Sequence, residues 1–198
     1  MSALEIFLMA AGACIALSLA VWLISGAVRR SGGRHARYRR RAKRVVEEMH
    51  SRRMAGGAVI GYLRKVNPYV FEEIVLDGFE RYGAKVFRNR SYSGDGGVDG
   101  VVVVDGQTYL VQCKRYVSNI RMEHVAEFVS VCRMRDLKGF FVHTGRTGRQ
   151  SVRLARESDC VEIISGAKLL QLLGFISDSE RATVENRRNN RKTYTQHA

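Results

Sequence analysis

The apolar positions of this chain follow three spacings in turn, and each predicts a different element. From Ile6 to Val28 there are 23 residues without a charge. As a helix they reach roughly 34 Å, enough to cross the ~30 Å hydrocarbon core of a bilayer. From Asn67 onward the pattern is that of a folded domain. Phe71, Ile74, Val75, Leu76 and Phe79 form a helical stripe that Asn67-Pro68 opens and Gly83 closes. Residues 84–89 read as a short strand. Residues 98–104 and 107–114 are apolar runs on either side of Asp105-Gly106, the preferred pair for a two-residue hairpin turn. Met122, Val125, Phe128, Val129 and Cys132 return to helical spacing, and GFFVHT (139–144) is a buried-strand run. A helix over 149–158, a strand over 161–164 and a last helix over 168–175 complete the order α-β-β-β-α-β-α-β-α. That order predicts an α/β sandwich with a central mixed sheet flanked by helices.

Charge sharpens the boundaries. The net charge is +14, yet residues 29–65 carry 13 Lys/Arg against Glu47 and Glu48, a net of +11, while residues 66–175 carry only +2. The basic excess therefore belongs to one segment, and the pI is poor grounds for saying that the folded part grips nucleic acid. The organisation predicted is a transmembrane helix (6–28), a basic juxtamembrane linker or stalk (29–65), a domain (66–175) and a polar tail without stable structure (176–198). A cleaved signal peptide is the competing reading of residues 6–28. MSALE brings no basic residue and the apolar core is long for one, so a retained span is expected. Nine Lys/Arg and no acid over residues 29–44 then place the C-terminal part in the cytoplasm of a bacterial-type inner membrane. Residues 6–44 are the expected lipid contact. Gly12, Ala16 and Ala20, spaced by four, make a small-residue ridge on which two spans can pair as a homodimer. Cys14, Cys113, Cys132 and Cys160 show no zinc-ligand spacing and read as free thiols in a reducing compartment.

The candidate chemistry sits at the open end of the hairpin. If Asp105-Gly106 is the loop, cross-strand partners have numbers summing to 211 and Asp99 lies opposite Gln112. Alternation puts Lys114 on the same face. A carboxylate, an amide oxygen and an ammonium would meet there. Hard oxygen ligands suit Mg²⁺, and a lysine beside them suits hydrolysis of a phosphodiester. Glu72 or Glu73 on the preceding helix can supply a second carboxylate. A solvated strand end and an aspartate that merely forms a turn explain the same residues more blandly.

The segments FEE (71–73), GDGGVDG (94–100), QCKRY (112–116) and HTGR (143–146) resemble the catalytic domain of Mrr-like type IV restriction endonucleases, within the PD-(D/E)XK nuclease superfamily. The likeness covers roughly residues 67–173, with its elements in the family's order. It implies an αβββαβ core and a Mg²⁺-dependent DNA endonuclease, with Mn²⁺ able to substitute. By position it makes Asp99 a metal ligand, gives Gln112 the Glu/Gln place, makes Lys114 the catalytic lysine and matches Glu72 to the helix glutamate. Asp95 and Glu73 are supporting candidates. Arg115, Tyr116, Thr144 and Arg146 are candidate DNA contacts, while His143 reads as structural. The alternatives are a non-catalytic DNA tether at the membrane and a junction-resolving nuclease.

Overall fold

The computed structural model describes residues 35–89 and 97–176, together with Gly33 and Glu180. The chain divides into two compact units, Met1–Arg37 and Tyr38–Ala198. The expected span over residues 6–28, Cys14 and nearly all of the polar tail lie outside the described residues. Among those described, no helix is long and apolar enough to cross a membrane.

The larger unit opens with helix α1 (38–51). It continues through α2 (Gly57–Leu63), α3 (Pro68–Arg81), β1 (Lys85–Arg88), β2 (Gly100–Val104), β3 (Gln107–Lys114), α4 (Met122–Met134), β4 (Lys138–His143), α5 (Arg149–Ser158), β5 (Val161–Ile164) and α6 (Ala167–Leu172). From α3 onward this is the predicted order. The α3 start is built as its sequence suggests: Asn67 Oδ1 accepts the Tyr69 N–H at 3.0 Å, with Pro68 behind it in the first turn. The five strands lie in the order β1-β2-β3-β4-β5. The first two joins are antiparallel and the last two parallel.

Strand alternation divides the interior in two. Val102, Val111, Cys113 and Val142 face one core with Ile74 and Val75 of α3 and Leu169 of α6. Leu110 and Phe141 face the other, with Val125, Phe128 and Cys132 of α4 and Ala155 of α5. Each large apolar side chain so buried contributes about 1.5–3 kcal/mol of transfer free energy. Gly139 lets α4 seat against β4, because a Cβ there would come within 2.6 Å of the Phe128 ring and 2.7 Å of Cys132 Sγ.

The described structure departs from a basic linker ahead of a domain that starts near Val66. Ala42, Val45 and Met49 of α1, and Val59 and Leu63 of α2, are buried in the core that also holds α3. Spaced by three and four, the α1 residues form an apolar stripe hidden among cations. Arg39 fastens the same helix to α3, with Nη2 2.9 Å from Glu80 and Nε 3.5 Å from Asp77.

Candidate active site

Five pairs from Val104↔Gln107 to Gly100↔Val111 hold the hairpin in the register that the Asp105-Gly106 turn predicts. Both turn residues have positive φ, 49° and 78°, as a primed two-residue turn demands. The ladder then changes. The Asp99 N–H donates to the Val111 carbonyl at 2.8 Å, although Gly100 is already paired with Val111. Two residues of one strand thus address one residue of the other, the arrangement of a β-bulge. Asp99 does not simply face Gln112. Its Oδ2 accepts the Cys113 N–H at 2.6 Å. Gly100 is needed at this step, since a Cβ would meet Leu76 of α3 at 2.8 Å.

Gln112 is buried, and its neighbour fixes which way the amide points. Nε2 donates to the Gly97 carbonyl at 2.8 Å, an acceptor that only the nitrogen end can satisfy. Oε1 is buried and, among the described residues, has no hydrogen-bond partner. Gly97 itself has φ 80°, and a Cβ on it would lie 2.5 Å from Nε2, so glycine is required both for conformation and for space.

The α3 helix adds Glu72 and Glu73, and they part company. Glu73 is 2% exposed and bound by Arg88 of β1, whose Nε lies 2.8 Å from its carboxylate. Arg88 also holds Asp77 and Glu80 at 2.6 Å each, so this network ties β1 to α3. Glu72 instead feels the charges of Asp99 and Lys114. Burial, then the charges of Asp99 and Glu73, push its carboxyl up to about 8 against the pull of Lys114. Burial likewise raises Asp99 to about 6, opposed by the Cys113 N–H and by Lys114. The Cys113 thiol is pushed up by burial and by the same three carboxylates.

Two like charges that burial holds back from ionising form a site that favours a cation. Among the described residues, no three His, Cys, Asp or Glu side chains are grouped to hold a metal by themselves. The oxygen donors available here to a cation are those of Asp99, Glu72 and Gln112. These are all hard oxygen donors that suit Mg²⁺ or Mn²⁺. Asp95 lies outside the described residues.

Beyond Lys114 the loops are stitched together. Thr144 is 1% exposed; its hydroxyl donates to the Tyr116 carbonyl and accepts the Tyr116 N–H, both at 3.0 Å. Thr144, one of the expected phosphate contacts, is thereby tied to the neighbouring loop. Arg64, which sequence reasoning passed over as one more cation of the basic segment, donates to the Thr144 carbonyl through Nε (3.0 Å) and Nη2 (2.8 Å). Arg115 Nη1 donates to the Arg64 carbonyl at 2.9 Å. The Tyr116 hydroxyl is bonded to His124 Nδ1. His143 is fully buried and pulled down to about 4 by desolvation. Its Nδ1 accepts the Gly145 N–H at 3.1 Å, so the proton sits on Nε2, which faces Thr147 Oγ1. Arg146 is the exposed member of the expected DNA contacts.

The Mrr catalytic-domain family model, described as restriction endonuclease, matches residues 63–173. The type IV methyl-directed restriction enzyme EcoKMrr of Escherichia coli strain K12 is 29% identical over 123 residues, 58% of this chain and 40% of that protein. The chain therefore spans less than half the length of that relative. Among solved structures, the MspJI restriction endonuclease in complex with a 27-mer oligonucleotide matches with TM-score 0.40 and 27% identity, over 52% of this chain and 26% of its own. The restriction endonuclease FokI matches with TM-score 0.41 and 16% identity, over 70% and 32%. Because the family model covers more than half of the residues, Glu72, Asp99, Gln112 and Lys114 among them, the chain belongs to the Mrr-type restriction endonuclease family.

Proposed function

We propose that this protein is a membrane-anchored, Mg²⁺-dependent DNA endonuclease that hydrolyses phosphodiester bonds. One observation carries the reading: the half-buried carboxyls of Asp99 and Glu72, both held above their ordinary range and both feeling the charge of Lys114, lie within the residues that the family model matches.

Asp99, Glu72 and Gln112 would hold the ion. When bound, it supplies Lewis-acid polarisation of the phosphate and eases deprotonation of the attacking water. The chain's own residues do the rest. Gly97 keeps the Gln112 amide turned with its oxygen free, and Cys113 fixes the Asp99 carboxylate. Lys114 brings a fixed positive charge to the place where negative charge develops on the phosphoryl oxygens. Glu72 would have to be ionised to hold the cation, so loading of the site would depend on pH. Overall one water is consumed, leaving a phosphate monoester and a free hydroxyl at the cut.

Anchoring rests on the uncharged run of residues 6–28 and the nine cations that follow it. The test is cleavage by the purified full chain in detergent, on plain, methylated and branched DNA. Cutting is expected with Mg²⁺ or Mn²⁺ and not with EDTA, and Lys114→Ala is expected to slow it by about 100-fold or more. Cleavage by Lys114→Ala at the wild-type rate would sink the assignment.

A further inference from the structure

Helix α5 carries a feature that neither the fold nor the metal site uses. On a helical wheel Arg149, Arg153 and Arg156 fall within an arc of roughly 60°, while Ser151 and Ala155 on the opposite side are buried. Arg146, just before the helix, extends the series, and all four arginines are exposed. Among the described residues none of the four forms an ion pair. The one acid within the helix, Glu157, lies on the flank of the arc.

The helix is also built against its own dipole. Its first turn holds Arg149 and no acid, and its N-cap, Gly148, offers no side-chain bond. A cation beside unsatisfied N–H groups at the positive end costs helix stability. An anion bound there would supply what the sequence withholds. Position says which anion. Lys114 is paired in register with His143, at the ends of two parallel strands. The loops that follow are joined, because the Arg146 N–H donates to the Ser118 carbonyl and the Ile120 N–H to the Arg146 carbonyl, each at 3.0 Å. The series therefore starts on the loop that leaves His143, bonded to the loop that leaves Lys114, and continues along α5. From Arg149 to Arg156 the helix rises roughly 10 Å, which matches about three phosphates at ~3.4 Å of axial rise per strand.

We infer that Arg146, Arg149, Arg153 and Arg156 form a track for the phosphate backbone of duplex DNA, seating the flank of the substrate while Lys114 addresses the scissile phosphate. The track rests on the nuclease reading for its partner, but binding tests it separately from cleavage. A fluorescein-labelled duplex is titrated with the full chain in detergent, with Ca²⁺ in place of Mg²⁺, over a range of salt concentrations. Arg149→Ala/Arg153→Ala/Arg156→Ala is expected to weaken binding roughly tenfold or more and to reduce the salt slope by about three. The triple lysine replacement is expected to keep the slope, and Lys114→Ala is expected to reduce it by no more than about one. An unchanged slope in the triple alanine variant would overturn the track. So would an equal loss from Arg40→Ala/Arg41→Ala/Arg44→Ala on the exposed side of α1, which would reduce the effect to bulk charge. Loss of binding to anionic phosphatidylglycerol vesicles with DNA binding intact would assign the stripe to a bilayer instead. If Lys114→Ala cuts like wild type while the slopes behave as expected, the nuclease assignment falls and the track stands.

Discussion

At the scale of single residues, the site is a set of groups that lack something. Asp99 and Glu72 carry folded-state pKa values near 6 and 8 against ordinary values of 3.8 and 4.5. The folded chain therefore holds protons at pH values where the unfolded chain has released them. The associated stability is complete below about pH 4 and is lost as pH rises through 6 and then 8. In EDTA, the melting temperature is expected to fall between pH 6 and pH 8, and Mg²⁺ is expected to raise it more at pH 8 than at pH 6. Glu72→Gln should flatten most of that dependence; an unchanged slope in this variant would place the proton elsewhere. Gln112 gives a second test. Replacing it by Glu adds a charge that naively favours a metal, but a carboxylate oxygen would then meet the Gly97 carbonyl where Nε2 now donates. Gln112→Glu is expected to cost about 1–3 kcal/mol in EDTA, with a larger recovery on adding Mg²⁺ than wild type shows. A metal-free melting temperature equal to wild type would refute this. The residues carrying these arguments were legible to different degrees. Asp99, Gln112 and Lys114 stand in a local pattern that a sequence displays. Gly97 and Arg64 do not, because their roles are set by a contact 15 residues away in one case and 80 in the other.

At the scale of elements, what the sequence showed well was what local chemistry dictates. The Asp105-Gly106 turn fixed five strand pairs, and Asn67-Pro68 fixed the start of α3. The bulge at Asp99-Gly100 left no such mark, since it depends on α3 approaching Gly100 through Leu76. The packing of α1 against the core left little mark for a related reason. Its buried stripe is only Ala42, Val45 and Met49, too short to outweigh the cations around it in any count of composition. The consequence can be measured. A chain beginning at residue 38 is expected to fold with one cooperative transition. A chain beginning at residue 66 leaves the partners of α1 and α2 in the core exposed, and it is expected to lose that transition or aggregate. In the longer chain, Met49→Ala is expected to cost about 2–5 kcal/mol, the usual range for a buried Met truncated to Ala. Equal stability of the two chains by thermal circular dichroism would make α1 the free stalk that its charge suggests.

At the scale of the whole molecule, charge is distributed by task. The folded part from 66 to 175 is nearly neutral, and residues 29–65 hold a net of +11. Within that basic segment, α1 spends its apolar side and Arg39 on the core and turns Arg40, Arg41, Lys43 and Arg44 outward. Those outward cations would serve lipid headgroups, whereas the arginine series that starts at Arg146 begins on a loop bonded to the one after Lys114. On the proposed reading, proximity to a bilayer and grip on a substrate would be separate functions of separate surfaces. The separation predicts how the protein fractionates. The full chain is expected in the membrane pellet, released by detergent and not by high salt, because a span of 23 uncharged residues is held by burial and not by screening-sensitive charge. Deleting residues 6–28 is expected to convert it to a salt-extractable form, held only by the basic segment, while Mg²⁺-dependent cleavage of naked DNA by the purified protein stays within about twofold of wild type, since no residue of the site is removed. Salt alone releasing the full chain would reduce the anchor to the cations. Loss of cleavage on deletion would show that the span supports the site as well as its address.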